Sequence, residues 1–219
     1  MRAIIAALPR EVAGLVKGWE RRELARRVFV YRTGAAVVAC AGMGAGRVTL
    51  AVKAALAEGG TELMSAGLAG GCDPAMRVGD VVRAGVVVDV RTGERFIDRR
   101  FEQVLVTGAS VADVAEKSRL WSGYGAAAVD MEAATVARLA EGQGVGFQAL
   151  KVISDDAEFE MDGLNRFGTP DGQFREAAFA AYAIVRPALW GKLGQLAGNS
   201  KRALTVLTAE MTSFLAESV

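Results

Sequence analysis

A chain of 219 residues, 52% of them hydrophobic, can bury a full core and lies in the size range of one α/β domain, so residues 1–219 are expected to form a single domain. Lys and Arg number 26 against 25 Asp and Glu, and a net charge of +1 argues against a nucleic-acid surface; the one dense run, ERRELARR at residues 20–27, is mixed in sign and reads as solvated helix end and loop. Histidine is absent, which rules out Ser-His-Asp hydrolysis, Cys-His catalysis and zinc sites with imidazole ligands. Carboxylates must carry any proton chemistry.

In chain order, residues 2–7 read as a buried strand. Pro9 then starts a helix, where its missing N–H costs nothing, running to about Lys17. Residues 28–32 and 35–41 form a hairpin turning at Thr33 and Gly34. The glycine turn at 42–46 leads into a helix over 47–58. Residues 63–68 are a buried strand, and the valine-rich 79–90 holds one or two more. A strand at 103–107 precedes a helix near 111–119, and from about Gly172 the chain reads as helix to its end, interrupted at Pro187. The alternation predicts a three-layer α/β/α sandwich with a central mixed sheet. The opening apolar run is too short for a membrane span, and Cys40 and Cys72 sit in apolar or glycine-rich settings, so a cytoplasmic protein with reduced thiols is expected.

The run AAAVDMEAATVARLAEGQGVGFQALKVISDDAE, residues 126–158, carries the most chemistry. It reads as a short strand ending at Val129, an amphipathic helix over 130–139 and a second buried strand over 147–154, so that Asp155 lies just past a strand's carboxyl end, where open α/β sheets bind ligands. A structural alternative stands beside this: Asp155 as a turn cap and Glu132 as a first-turn acid favoured by the helix dipole.

VDMEAA followed by KVISDDAE resembles the nucleoside phosphorylase and nucleosidase superfamily, which includes purine nucleoside phosphorylases and methylthioadenosine/S-adenosylhomocysteine nucleosidases. The resemblance implies a phosphorylase/hydrolase-like fold and cleavage of an N-glycosidic bond. It makes Met131 and Glu132 the ribose residues and Asp155, with Ser154 before it, the acid that protonates the leaving purine. Such cleavage leaves a cationic sugar and an anionic base, so one carboxylate on sugar hydroxyls and one carboxylic acid at the base meet both developing charges. It also implies a homo-oligomer, a small-molecule nucleoside as partner, and neither cofactor nor metal.

Two glycine clusters follow the same pattern. GMGAGR, residues 42–47, is no dinucleotide fingerprint, since its sixth position is Arg47 and it follows a hairpin; it is either a tight turn or a close backbone approach to ligand or a neighbouring subunit. SAGLAGGCDPAMRVGDVV, residues 65–82, resembles the family's strand, glycine loop and VGD turn, with Gly67, Leu68 and Ala69 expected to offer backbone N–H groups to a ligand. Ser65 and Leu68 stand where phosphorylases place anion ligands, and nucleosidases often carry a hydroxyl at the Leu68 position. Water is therefore favoured over phosphate as acceptor, with phosphate left open. AALPREV resembles the nucleosidase start and makes Glu11 the water-handling acid, against a surface acid favoured by the helix dipole. Lys151 matches a basic family position near the acid, whereas Asp156 reads as a turn residue.

The tail, residues 171–204, resembles hopanoid-associated phosphorylases and implies adenosylhopane as substrate, a lipid-linked nucleoside reached through transient contact with a membrane surface. Phe174, Phe179, Tyr182, Val185 and Trp190 read equally as the core face of terminal helices.

Overall fold

The computed structural model describes residues 1–159 and 190–217. Its elements are β1 (Arg2–Ala6), α1 (Pro9–Val12), β2 (Glu20–Leu24), β3 (Val28–Arg32), β4 (Ala36–Cys40), α2 (Ala45–Ala57), β5 (Glu62–Gly71), β6 (Val81–Asp89), β7 (Arg95–Ile97), β8 (Gln103–Thr107), α3 (Val114–Tyr124), β9 (Ala126–Asp130), α4 (Ala133–Gly142), β10 (Gly146–Asp155) and α5 (Trp190–Ala216).

All ten strands among the described residues join one mixed sheet. From β5 it extends through β1 and β4 in parallel, then through β3 and β2 in antiparallel pairing. On its other edge β5 pairs with β10 along nearly its whole length, from Glu62 to Gly70. The edge that carries β1 at Glu62 to Ser65 carries β9 at Gly70 and Gly71, because β1 has ended by then. As β10 pairs β6, β6 pairs β8 and β8 pairs β9, these strands return to β5 and close a five-membered ring. The sheet is thus open on one side of β5 and closed on the other.

Strand periodicity sorts the core into layers. Ala3 and Ile5 of β1, with Val37 and Ala39 of β4, pack on α2 and α4; Ile4 and Ala6, with Val38 and Cys40, pack on α1 and α5. Both faces are buried, which is why these strands are continuous apolar runs rather than alternating ones. Helices on both faces of a central mixed sheet make the α/β/α architecture.

Several elements depart from the sequence reading. The helix at Pro9 is four residues long and stops before Gly14, whose backbone abuts Thr208 of α5 so closely that a Cβ would lie 2.6 Å from its Oγ1. ERREL is no helix end: it is β2, exposed at every residue and paired with β3 as an edge strand, a place where charged side chains are tolerated. Arg95–Ile97 is an unanticipated strand on β6. The glycines at 67 to 71 form no loop, because β5 continues through them. α3 starts at Val114, where the Asp113 carboxylate caps Glu116 N at 2.8 Å, and runs five residues past the expected end to a left-handed Gly125. Pro187, Phe174, Phe179, Tyr182, Val185 and the side chain of Trp190 lie outside the described residues. No helix among the described residues is long and apolar enough to cross a membrane.

α5 is held by Ala203, Leu207, Met211 and Phe214, all buried against the sheet face that also carries Met64 and Leu150. Leu207→Ala should lower the unfolding free energy by about 2–5 kcal/mol, read from urea denaturation; a loss below about 1 kcal/mol would mean that α5 contributes little to the core.

Candidate active site

Acidic side chains gather where β1, β5, β9 and β10 end. β9 finishes at Asp130, and Met131 and Glu132 turn the chain into α4, with Glu132 at the N-cap position. The helix therefore begins three residues later than the sequence suggested. Glu132 does not cap α4 with its side chain. Asp130 Oδ2 accepts from Ala133 N at 2.9 Å and Thr107 Oγ1 accepts from Ala134 N at 3.0 Å, so the first donors of α4 are already served. The Glu132 carboxylate instead reaches the start of α2, where Gly44 N donates to Oε1 at 2.7 Å. Gly44 has φ +81, a conformation that favours glycine, and it presents its N–H at the positive end of a helix.

Lys151 lies beneath these acids. It is 2% exposed, its Nζ stands 2.9 Å from Asp130 Oδ2, and it donates to Ser65 Oγ at 3.2 Å. Burial works against its charge, but Asp130, Glu132 and Glu11 outweigh it and raise the Lys151 pKa above the usual lysine range. Burial, then the nearby Asp130 charge, pushes Glu132 up to about 7. Asp130 is further tied by Thr107 Oγ1, which donates to Oδ1 at 2.7 Å.

Glu11 is buried, which removes the surface-acid reading. Its Oε2 accepts from Leu8 N at 2.7 Å and its Oε1 from Leu68 N at 3.1 Å, fixing α1 to β5. An ionised carboxylate has about four acceptor positions, so two remain for a ligand or water. Gly67 makes this approach feasible: a Cβ there would stand 3.0 Å from Glu11 Oε1 and 3.6 Å from Lys151 Nζ. Leu68 contributes its backbone N–H, while its side chain packs into the core under α1 and α5. Ala69 is buried, and its carbonyl accepts from Ser154 Oγ at 3.3 Å. The expected nest of free amides over Gly67, Leu68 and Ala69 is thus a paired strand, because β10 takes up its length.

Asp155 is the last residue of β10 rather than the first beyond it. Regular alternation would put Lys151, Ile153 and Asp155 on one face. A bulge at Ser154 breaks the register, so that Ile153 pairs Ala69 but Asp155 pairs Gly70, and the carboxylate turns to the opposite face. There Oδ1 accepts from Ser154 Oγ at 2.7 Å, and Oδ2 lies 2.5 Å from Lys117 Nζ. Lys117 comes from α3 and escaped the sequence reading, since nothing in its local pattern marks it as more than a helix lysine. Gly67 and Gly70, which lie against the two acid groups, are three strand residues apart, roughly 10 Å. Among the described residues no group of His, Cys, Asp or Glu is placed to hold a metal.

The structure thus gathers Glu11, Asp130 and Glu132 around Lys151 and turns Asp155 to the other face of β10, all near strand carboxyl ends, the place where α/β sheets take small ligands. The family model described as the phosphorylase superfamily matches residues 1–104 and 99–189. The chain belongs to that superfamily and is an enzyme of it. No curated protein matches its sequence. Among solved structures, it is similar to the 5′-methylthioadenosine/S-adenosyl homocysteine nucleosidase of Helicobacter pylori, with TM-score 0.73 and 17% identity over 99% of this chain and 97% of that one. Futalosine hydrolase of the same organism gives 0.65 and 20% over 95% and 97%. The S-adenosylhomocysteine nucleosidase of Streptococcus pyogenes gives 0.65 and 19% over 94% and 93%. At such identities the likeness is one of fold.

Glu132 links this site to stability. Its folded value of about 7 exceeds the ordinary 4.5, so between these values the folded chain keeps a proton that the unfolded chain has lost. The resulting stabilisation is complete below the unfolded value and disappears as pH rises through the folded one. Glu132→Gln, neutral throughout, should therefore melt higher relative to wild type at about pH 8 than at about pH 5. Thermal melts of both proteins at the two pH values test this, and an equal difference at both would contradict the burial-driven shift.

Proposed function

We propose that this enzyme hydrolyses the N-glycosidic bond of an adenine nucleoside that carries a 5′ substituent. The observation that carries the reading is the placement of Glu11, Glu132 and Asp155 around the carboxyl ends of four strands, in a chain of the phosphorylase superfamily. Several neighbours in fold are named as nucleosidases of methylthioadenosine and S-adenosylhomocysteine.

In this reading the nucleoside lies along the end of β5. Met131 and Glu132 take the ribose, with the Glu132 carboxylate accepting sugar hydroxyl hydrogens. Asp155 gives a proton to the purine as the bond from the sugar breaks and its electron pair passes to the base. Water held by Glu11 beside Gly67 then bonds to the sugar carbon and gives its proton to Glu11. Ser154 suits both states of the acid: its one hydrogen points to Asp155 Oδ1 when the carboxylate is ionised and can turn to Ala69 O when Oδ1 carries the proton.

Charge favours water over phosphate. Glu11, Asp130 and Glu132 together outnumber the one ammonium among them, that of Lys151, and negative charge there favours a cationic sugar while it repels an anionic nucleophile. Arg47, close to the Gly44 turn, directs its guanidinium to the carbonyls of Ala41, Arg26 and Arg27. The Gly67 to Gly70 stretch is paired with β10, and Leu68 N is taken by Glu11. For the 5′ substituent, the resemblance of residues 171–204 to hopanoid-associated phosphorylases supports adenosylhopane, with methylthioadenosine as the small-substrate counterpart. Transient membrane contact and a homo-oligomer belong to the same proposal.

Asp155→Asn removes the transferable proton with little change of shape and should lower kcat by roughly 10² to 10⁴ fold while nucleoside binding survives. Near wild-type turnover would withdraw Asp155 from the acid role. The wider test incubates the protein with adenosine, methylthioadenosine and an adenosine bearing a long 5′ alkyl chain, with and without phosphate, and measures adenine and the sugar product. Free reducing ribose at a rate indifferent to phosphate is expected; a ribose 1-phosphate product would replace hydrolysis by phosphorolysis. Equal kcat/KM on the long-chain and methylthio substrates would remove the lipid-linked reading, since each buried methylene contributes about 0.8 kcal/mol.

A further inference from the structure

Lys117 stands in the second turn of α3, 1% exposed, on a helix anchored by the Asp113 cap and the buried Leu120. An ammonium has three hydrogens, and each finds an acceptor here: Asp155 Oδ2 at 2.5 Å, the Asp156 carbonyl at 2.7 Å and the Phe159 carbonyl at 3.4 Å. Gly70 leaves the space in which the pair meets, since a Cβ there would stand 3.1 Å from both Asp155 Oδ2 and Lys117 Cε. Two of the three acceptors belong to the turn just after Asp155, so one cation holds both the carboxylate and the backbone that follows it.

We propose that Lys117 is a positioning residue that selects which oxygen of Asp155 delivers the proton. Resting on the reading of Asp155 as the acid, this assigns Oδ2 permanently to the ammonium. A proton on Oδ2 would point at a cation, whereas Oδ1 can carry one directed at the base once Ser154 Oγ turns its own hydrogen to Ala69 O. Oδ1 is therefore the donor atom, and the bulge at Ser154 together with Lys117 sets its direction. The proton passes from Oδ1 to a base nitrogen as the glycosidic electron pair arrives there, and water restores it afterwards. Lys117 keeps its own hydrogens and touches no reacting atom.

The test compares Lys117→Met, Lys117→Arg, Asp155→Asn and the double variant Lys117→Met with Asp155→Asn. A positioning role predicts that Lys117→Met lowers kcat roughly 10- to 100-fold with KM changed by less than about threefold, and that Lys117→Arg recovers about tenfold of the loss. In the Asp155→Asn background the same Met substitution should cost less than about twofold, because the group it positions is already disabled. Wild-type kcat in Lys117→Met, or an equal loss in both backgrounds, would overturn the proposal. A second measurement needs no turnover and no lysine variant: nitrogen-15 NMR of the lysine ammonium groups. A slowly exchanging Lys117 signal in the wild type that exchanges fast in Asp155→Asn supports the pair, and a signal indifferent to that substitution overturns it. Should the wild-type protein release adenine from no nucleoside, the reading of the reaction fails, while the NMR comparison still decides whether Lys117 holds Asp155.

Discussion

The buried ion pair between Lys151 and Asp130 is the constraint around which the acid cluster is arranged. Both side chains are withdrawn from water, a state that is tolerable only when geometry and further hydrogen bonds are good. Asp130 meets that condition through Thr107 Oγ1 and Ala133 N, and Lys151 through Ser65 Oγ. These bonds join β10, β9, β8, β5 and the start of α4 at one point. Removing either partner would strand a charge in the interior, at a loss of about 3–5 kcal/mol. With the pair intact, one positive charge supports the acids crowded above it.

Sheet closure explains why acids from separate strands reach the end of β5, on its two faces. β5 is shared by the open sheet and by the ring, and its glycines at 67 and 70 face two separate carboxylates. Were β1 as long as β5, it would continue along the edge that Glu11 reaches at Leu68 and that β9 occupies at Gly70. The early end of β1 thus makes room both for an acid from α1 and for the strand that closes the ring. A single shortened strand positions chemistry on one side and topology on the other.

Much of this was legible in the sequence, for identifiable reasons. The continuous apolar runs of β1, β4 and β10 announce strands buried on both faces, and Met131, Glu132 and Asp155 sit in motifs whose wording is specific. What escaped depends on contacts distant in sequence. The four-residue α1 is cut short where Gly14 meets α5, nearly two hundred residues later. The strand character of Gly67 to Gly71 comes from β10, which overrides the loop preference of glycine. The bulge at Ser154 carries no marker in the string KVISDD, although it reverses the direction of Asp155. Lys117 reads as one more helix lysine until α3 is placed over Gly70, and charged β2 reads as loop until β3 supplies its partner.

In the proposed reaction, Glu132 would set function against stability. Ionised, it adds to the negative charge that would stabilise a cationic sugar and offers full acceptor capacity to ribose hydroxyls. Protonated, it relieves repulsion with Asp130 and Glu11, which is the direction in which burial drives it. Gly44 N and the Lys151 ammonium act the other way and favour the ionised form. A group balanced near neutrality by these opposing neighbours keeps the folded chain from carrying its full charge excess when no cation is present. Positive charge developing on a bound sugar would then draw the carboxylate toward ionisation, so the electrostatic support would be greatest in the transition state.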